Sequence, residues 1–303
     1  MNSSHDAASL LGTTVVAMVT PMASDGRVSW PDVEALVDHL VAGGCDGIIV
    51  AGTTGEAPTL TLDETMDLVR CVRRRAKGAA RTIVGIGTNV TSESVAAARA
   101  AQAAGADGLL VVSPYYSRPS QAGVIAHCTA IADATDLPVI LYDIPARTGV
   151  ALTVETLRAL AQHPRIVAVK DAKGDLFEAM TLMDSTSLAY YCGIDELNLP
   201  YLAAGATGVV TVTGNVVPDR LTALVDAVRS GRLVDARAIN GDLAALTESL
   251  MRPGPGAATT KAALVAAGVI TSAAVRLPLV EEPVPQHSPV QRRSRTTLLT
   301  STS

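Results

Sequence analysis

The sequence predicts a (β/α)8 barrel followed by a small C-terminal helical appendage. Short apolar runs alternate with helical patterns eight times, with the period of roughly 25 to 30 residues that is expected of parallel βαβ connections. Eight such units fill about 230 residues, which is typical of this barrel. An open, doubly wound sheet of eight strands is the alternative. Such a sheet usually carries a glycine-rich GxGxxG phosphate loop early in the chain, and this sequence has none.

The predicted strands are short apolar runs that end in glycine, proline or polar residues. They are Thr14–Thr20, Gly47–Ala51, Thr82–Ile86, Gly108–Val112, Pro138–Tyr142, Ile166–Lys170, Leu188–Cys192 and Gly208–Val212. Each strand precedes a pattern of apolar residues at helical spacing. The predicted helices are one that Ser29 caps and that runs to Leu40, then Leu62–Ala76, Ser92–Ala104, Gln121–Ala134, Thr153–Gln162, Phe177–Met183, Leu197–Ala204 and Asp219–Ser230.

The chain therefore divides into four parts. Residues 1–11 are expected to be flexible, and residues 12–231 form the barrel. Residues 232–280 form a helical region with two helices, Leu233–Leu250 and Thr259–Ala267. Residues 281–303 are rich in proline, serine, threonine and arginine and poor in apolar side chains, so a disordered tail is predicted.

The composition excludes several classes of protein. Of 303 residues, 48% are hydrophobic and 17% charged, which is enough for a large core. The net charge of −5 and the lack of a basic stripe in the folded part argue against a nucleic-acid partner. No apolar run reaches about 18 residues, so no membrane-spanning helix is expected.

The cysteines and the N-terminus indicate a cytoplasmic protein. Cys45, Cys71, Cys128 and Cys192 show no C-x-x-C spacing and lie inside apolar elements, so they are interpreted as buried thiols in a reducing compartment. The first residues have neither a cationic start nor an apolar core, and no signal peptide is predicted.

The strand Ile166–Lys170 ends in a lysine that follows four apolar residues. A solvated lysine at a strand end is the ordinary interpretation, because lysine is seldom fully buried. A lysine that loses its hydration has a lowered pKa, and the neutral amine attacks carbonyl carbons to give a Schiff base. In a (β/α)8 barrel the active site lies at the carboxyl ends of the strands. Lys170 is therefore a candidate nucleophile.

The other strand ends bring hydroxyls, a guanidinium and backbone amides to the same rim. The loop Gly52–Glu56 suits an anion, although an ordinary turn is equally compatible with its sequence. Tyr142 ends the strand before Lys170, about 5 Å away at the backbone, where a phenol can move protons or simply pack in the core. Arg147 is either a loop cation or a bidentate ligand for a carboxylate. No metal-ligand cluster is present at the rim, so we expect no metal. Schiff-base chemistry on a lysine amine needs no organic cofactor, and none is expected.

Four motifs in order carry a family resemblance. They are GTTGE at Gly52–Glu56, PYYSRP at Pro114–Pro119, LYDIPART at Leu141–Thr148 and VKDAKG at Val169–Gly174. From about residue 12 to residue 279 the chain resembles the dihydrodipicolinate synthase family of pyruvate-dependent class I aldolases. The resemblance implies an enzyme of lysine and diaminopimelate biosynthesis that condenses pyruvate with L-aspartate-4-semialdehyde.

The resemblance also implies a role for each matching residue. Lys170 forms the Schiff base with pyruvate, whose carboxylate lies against Thr53 and Thr54. Tyr142, Thr54 and Tyr116 form a proton relay, with Tyr116 supplied by a neighbouring subunit. Such an arrangement requires an oligomer, and the family is commonly a homotetramer built from two dimers.

Further matches concern the second substrate and regulation. Arg147 would hold the carboxylate of the semialdehyde, and Gly193 and Val210 would line the pyruvate pocket. Asn89, Glu93 and Tyr115 match the family's allosteric cleft. Leu62 and Thr65 stand where members inhibited by lysine often carry histidines, which leaves lysine sensitivity open.

Two alternatives remain at the level of sequence. A related pyruvate-dependent aldolase or lyase would keep Lys170 and Tyr142 and act on a different aldehyde. A catalytically silent relative would bind pyruvate or serve as a scaffold, although intact Lys170, Tyr142 and Arg147 argue against it.

Overall fold

The strands form a closed, parallel barrel in sequence order in a computed structural model that describes residues 3–252 and 254–284. Nearly every strand residue is buried, because each strand is covered by the barrel interior on one face and by helices on the other. The strands are β1 (Thr14–Ala17), β2 (Gly47–Val50), β3 (Arg81–Gly85), β4 (Gly108–Val112), β5 (Val139–Asp143), β6 (Ile166–Asp171), β7 (Ala189–Cys192) and β8 (Gly208–Thr211). The predicted (β/α)8 fold is confirmed, and the open sheet is excluded.

Helices follow the strands and surround the barrel. Those of the described residues are α1 (Ser3–Leu11), α2 (Trp30–Ala42), α3 (Leu62–Ala76), α4 (Thr91–Ala104), α5 (Gln121–Asp133), α6 (Pro145–Thr148), α7 (Val154–Leu160), α8 (Leu176–Ser185), α9 (Asn198–Ala203), α10 (Pro218–Arg229), α11 (Leu233–Met251) and α12 (Gly256–Ala266). Their apolar faces and the outer faces of the strands build the larger of two cores.

The first predicted strand is too long. The run Thr14–Thr20 leaves the sheet after Ala17, where the amide of Val19 donates to Asn215 Oδ1 at 3.1 Å instead of extending the ladder. The Asn215 side-chain nitrogen donates to the carbonyl of Ala17 at 2.9 Å. A side chain from beyond β8 thus ends β1, and no local signal in the first strand reveals it.

A second, smaller core fills the barrel interior, and the N-terminal helix closes its lower end. Ala7 and Leu11 of α1 pack in this core with Tyr191 of β7. The Tyr191 hydroxyl donates to the carbonyl of Gly12 at 2.8 Å. The prediction of a flexible segment over residues 1–11 is therefore wrong for residues 3–11, which form α1. The helix is short, so its packing against the lower end of the barrel stabilises it more than its intrinsic helix propensity does.

The C-terminal region packs α11 and α12 against the last strand–helix unit of the barrel. After α12 the chain has no regular structure over residues 270–284. The predicted disordered tail lies outside the described residues from position 285 onward. Within the described part, no helix is long and apolar enough to cross a membrane. All four cysteines are buried and unpaired.

Candidate active site

Lys170 and Tyr142 lie side by side at the carboxyl end of the barrel. They are register partners on the adjacent parallel strands β5 and β6. Both side chains are 5% exposed. The Lys170 Nζ lies over the face of the Tyr142 ring, 4.1 Å from its centroid. The contact has cation–π geometry and places the Nζ atom at the face of the ring.

Gly193 gives the lysine side chain its space. A Cβ atom at this position would lie 3.0 Å from Lys170 Cγ, 3.1 Å from Lys170 Cε and 2.9 Å from the carbonyl oxygen of Asp171. A larger residue at the end of β7 would therefore press on the lysine side chain and on the Asp171 carbonyl. Val210, on β8, is 2% exposed and belongs to the interior core that also contains Tyr142.

The loop after β2 presents unused hydrogen-bond donors. Gly55 donates its amide to the carbonyl of Gly52 at 3.0 Å, which closes a tight turn. Within the described structure, the amides and hydroxyls of Thr53 and Thr54 have no protein acceptor. Two successive free amides in a turn form a concave anion site. This geometry favours the anion interpretation of the loop over an ordinary turn.

A cleft of about 800 Å³ opens at this rim. Its walls include Thr53, Tyr116, Tyr142 and Arg147, and also Glu93, Tyr115, Leu62 and Thr65. The remaining predicted site residues are not on its walls. These are Lys170, Thr54, Gly193, Val210 and Asn89. Of these, Lys170 contacts the ring of Tyr142, which does line the cleft.

The end of β3 also lines the cleft. The residues predicted from sequence to form the rim did not include it. Gly85, Ile86, Gly87 and Thr88 form this wall. A Cβ atom at Gly85 would lie 2.2 Å from the carbonyl oxygen of Ala51, so glycine is needed for the two loops to approach. The motif Gly-Ile-Gly-Thr, which overlaps the end of the predicted strand Thr82–Ile86, was the available signal.

Tyr116 stands apart from the other hydroxyls. It is 90% exposed and has a left-handed backbone, with φ of 71°. Bulky residues seldom adopt this conformation, and such strain is concentrated at functional sites. In the described part of the chain, no hydrogen bond joins the hydroxyls of Thr54, Tyr142 and Tyr116. A single chain therefore does not assemble the predicted relay.

Two carboxylates lie behind the strand ends that carry Tyr142 and Lys170. Asp143 accepts from the amide of Leu152 at 3.2 Å, and Lys173 Nζ lies 3.8 Å from its Oδ2. Burial raises the pKa of the Asp143 carboxyl to about 7, even though Lys173 and the Leu152 amide oppose the shift. Burial also raises the pKa of Asp171.

The family model of the dihydrodipicolinate synthetase family matches residues 10–292. The chain belongs to this family. A relative from Mycolicibacterium paratuberculosis, called 4-hydroxy-tetrahydrodipicolinate synthase, is 50% identical over 264 residues, covering 87% of this chain and 88% of its own. The relative of the same name from Corynebacterium aurimucosum is 51% identical over 259 residues, covering 85% of each chain.

Solved structures of the family share the fold along almost the whole chain. The dihydrodipicolinate synthase of Acinetobacter baumannii, in complex with pyruvate, is 36% identical with a TM-score of 0.85, covering 95% of this chain and 97% of its own. The enzyme of Cyanidioschyzon merolae with lysine bound is 37% identical with a TM-score of 0.87, covering 96% and 98%.

Proposed function

We propose that this protein is a lyase of the family, a 4-hydroxy-tetrahydrodipicolinate synthase that condenses pyruvate with L-aspartate-4-semialdehyde. One observation carries the proposal: a buried lysine lies in contact with a tyrosine that lines the cleft, and the loop that contributes Thr53 to the cleft wall has two free amides. Curated relatives about half identical over most of their length have this name. The homologous structure from Acinetobacter baumannii holds pyruvate.

The first half of the reaction activates pyruvate. The Lys170 amine attacks the keto carbon, and loss of water gives an iminium ion whose positive charge draws electrons from the neighbouring methyl group. Loss of a methyl proton then leaves an enamine. The carboxylate of pyruvate binds the amides and hydroxyls of Thr53 and Thr54. The proton transfers pass through Tyr142, Thr54 and Tyr116, because hydroxyls in reach of the nitrogen can act as general acid and base.

The second half forms the new carbon–carbon bond. The enamine carbon attacks the aldehyde carbon of the semialdehyde, and the aldehyde oxygen takes up a proton. The substrate's own amine then attacks the iminium carbon, which closes the ring and releases the Lys170 amine. Arg147, on the cleft wall, binds the carboxylate of the semialdehyde. Gly193 and Val210 shape the pyruvate pocket around the lysine.

The proposal includes an oligomer. Tyr116 is 90% exposed in a strained turn, and the relay requires a hydroxyl that its own chain does not bring to Tyr142. We therefore propose that two chains exchange this residue in a dimer, and that two dimers form the tetramer implied by the family resemblance. We also propose that the enzyme works in the cytoplasm, where buried thiols such as these stay reduced.

The part of the cleft that Glu93 and Tyr115 line is the proposed effector site. Asn89, which completes the sequence match, is not on that wall. The Cyanidioschyzon merolae relative binds lysine. Leu62 and Thr65 provide no imidazole here, so we expect lysine to inhibit this enzyme weakly or not at all. Initial rates measured with increasing L-lysine test this; strong inhibition by micromolar lysine would contradict it.

A trapping experiment tests the proposed function. The protein is treated with pyruvate and borohydride, which reduces a Schiff base to a stable amine, and the adduct is mapped by mass spectrometry. We expect the adduct at Lys170 and none in Lys170→Ala. No adduct at Lys170 in the wild-type protein would exclude both the synthase and the related aldolase, because both require a Schiff base at this residue.

Turnover then identifies the aldehyde. Consumption of L-aspartate-4-semialdehyde is coupled to the reductase that accepts the cyclic product, and loss of the nicotinamide cofactor absorbance is followed. We expect turnover that depends on both substrates. Pyruvate trapping without turnover of this aldehyde would favour the related aldolase with a different substrate.

A further inference from the structure

A fully buried ion pair lies behind the loop that carries Thr53 and Thr54. Glu56 ends this loop and Lys261 lies on α12, and both side chains are 0% exposed. The Lys261 Nζ donates to Glu56 Oε1 and also to the carbonyl of Ala274 at 2.7 Å. The other Glu56 oxygen accepts from the backbone amide of Arg276 at 2.9 Å. The carboxylate is thus held from two sides by the C-terminal region.

The backbone of Glu56 is part of the anion loop. Its amide donates to the carbonyl of Thr53 at 3.2 Å. Its φ of 59° is left-handed, which is unfavourable for a residue with a Cβ atom. Such a conformation persists where surrounding contacts impose it. Here those contacts are Lys261 and the amide of Arg276, both of which hold the side chain.

Stability alone does not account for the pair. Well-packed apolar residues of similar volume often replace a buried ion pair with no loss of stability, because the desolvation of two charges offsets their attraction. What an apolar pair does not provide is direction. The ammonium group fixes where the carboxylate points, and therefore the backbone turn that orients the amides of Thr53 and Thr54.

We propose that Lys261 is a positioning residue for the anion site, acting through Glu56 on the loop that binds the carboxylate of pyruvate. The inference rests on the proposed function for the identity of the anion. It assigns to the C-terminal region, which lies outside the barrel, a role in substrate affinity. Lys261 touches no substrate, and it lies far from Lys170 in sequence and on a different layer of the fold.

The main test removes both charges together. In Glu56→Gln/Lys261→Met the amide keeps the shape of the glutamate and an acceptor for Arg276, and no unpaired charge is buried. We expect a folded protein whose pyruvate concentration for half-maximal borohydride trapping rises about tenfold to a hundredfold, as for other small misplacements of a binding group. The KM for the semialdehyde should stay within about twofold of the wild-type value.

Two further variants keep the test decisive. Glu56→Gln alone leaves Lys261 an acceptor and provides a second folded variant if the double variant does not fold. We expect it to show a smaller rise in the pyruvate concentration for half-maximal trapping. Arg276→Met is the matched control, because its guanidinium binds Glu64 and the carbonyl of Thr59 while its backbone amide still holds Glu56. We expect it to lower the melting temperature without changing the pyruvate dependence.

The outcomes separate the inference from the proposed function. If wild-type protein is not labelled at Lys170, the proposed function fails. If wild-type protein is labelled and the folded Glu56 and Lys261 variants trap pyruvate at wild-type concentrations, the inference alone is overturned. An equal rise for Arg276→Met would also overturn it, because the effect would then reflect general docking of the C-terminal region.

Discussion

The environment of Lys170 depends on two neighbours that act through shape. Tyr142 offers a ring face to the amine, and Gly193 leaves the volume that the lysine chain occupies. The ring contact fixes the position of the Nζ atom before substrate binds. The missing Cβ atom of Gly193 leaves room for Cγ and Cε of the lysine. Both effects are sensitive to the addition or removal of single atoms.

Gly193→Ala tests the space around the lysine. The new Cβ atom would lie 2.9 Å from the carbonyl oxygen of Asp171 and 3.0 and 3.1 Å from Lys170 Cγ and Cε, so the lysine side chain must shift to make room. We expect the rate of pyruvate trapping to fall about a hundredfold, as for a displacement of about 1 Å. Gly241→Ala, where a Cβ atom has nothing within 4 Å, is the control and should trap normally. Normal trapping by both would show that Gly193 is not required.

Arg147→Ala separates the two substrates. The guanidinium lies on the cleft wall but has no contact with Lys170, so we expect pyruvate trapping to survive. Turnover of the semialdehyde should fall about tenfold to a hundredfold, because hydrogen bonds to a charged group contribute about 1.5–3 kcal/mol. Arg158→Ala, on the exposed face of α7, is the control. Equal loss of trapping and turnover in Arg147→Ala would refute its assigned role.

At the scale of elements, β5 and β6 carry different chemistry on their two faces. Tyr142 and Lys170 point into the barrel, and their register-paired successors Asp143 and Asp171 lie in the layer behind. Alternation along a strand requires this, since adjacent side chains point to opposite faces. Lys173 faces Asp143, Asp171 and Glu178, so the outer cluster has more carboxylates than cations.

Asp143→Asn is expected to stabilise the protein in a pH-dependent way. The pKa of the Asp143 carboxyl is about 7 in the folded protein, against 3.8 for the free side chain. The unfolded chain therefore releases its proton first, and folded-state stability falls as pH rises from about 4 to 7. Asparagine removes this loss and keeps an acceptor for the Leu152 amide.

Chemical denaturation at pH 4, 6 and 8 measures the effect. The gain in the free energy of unfolding should be absent at pH 4, grow with pH and level off above pH 7. Asp67→Asn, on the exposed surface of α3, provides a control without such a gain. A gain that is independent of pH, or a loss at pH 8, would contradict the raised pKa.

At the scale of the whole molecule, the proposed relay spans two chains. A mixed dimer of Lys170→Ala and Tyr116→Phe contains one site with both lesions and one site with neither, if Tyr116 acts in the partner subunit. Co-expression of the two inactive variants should therefore restore about a quarter of wild-type activity, since half of the dimers are mixed and half of their sites are intact. Each variant expressed alone is the control.

Co-expression without recovery, together with native mass spectrometry that detects mixed oligomers, would show that Tyr116 acts in its own chain. Tyr116→Phe keeps the ring and removes the hydroxyl, so a packing defect is not the cause of its inactivity. Light scattering of the wild-type protein determines the number of chains in the assembly and tests the proposed tetramer.

Much of the fold could be predicted from local sequence, because each βα unit has its own short-range pattern of apolar and turn residues. The bounds of α3 and β4 agree with the prediction, since each has an apolar pattern bounded by turn residues. The end of β1 was missed because Asn215 determines it from 196 residues away. Helix α1 was missed because its stability comes from the packing of Ala7 and Leu11 in the interior core of the barrel.

The sequence by itself determined the order of the strands, and with it the placement of Lys170 and Tyr142 on neighbouring strands at one rim. Parallel βα units leave few other arrangements. The tertiary structure decided what no spacing encodes: the amine over the ring face, the volume left by Gly193, and the pairing of Glu56 with Lys261 across 205 residues. Such contacts join distant parts of the chain and exist only after the barrel has closed, because packing in three dimensions brings their partners together.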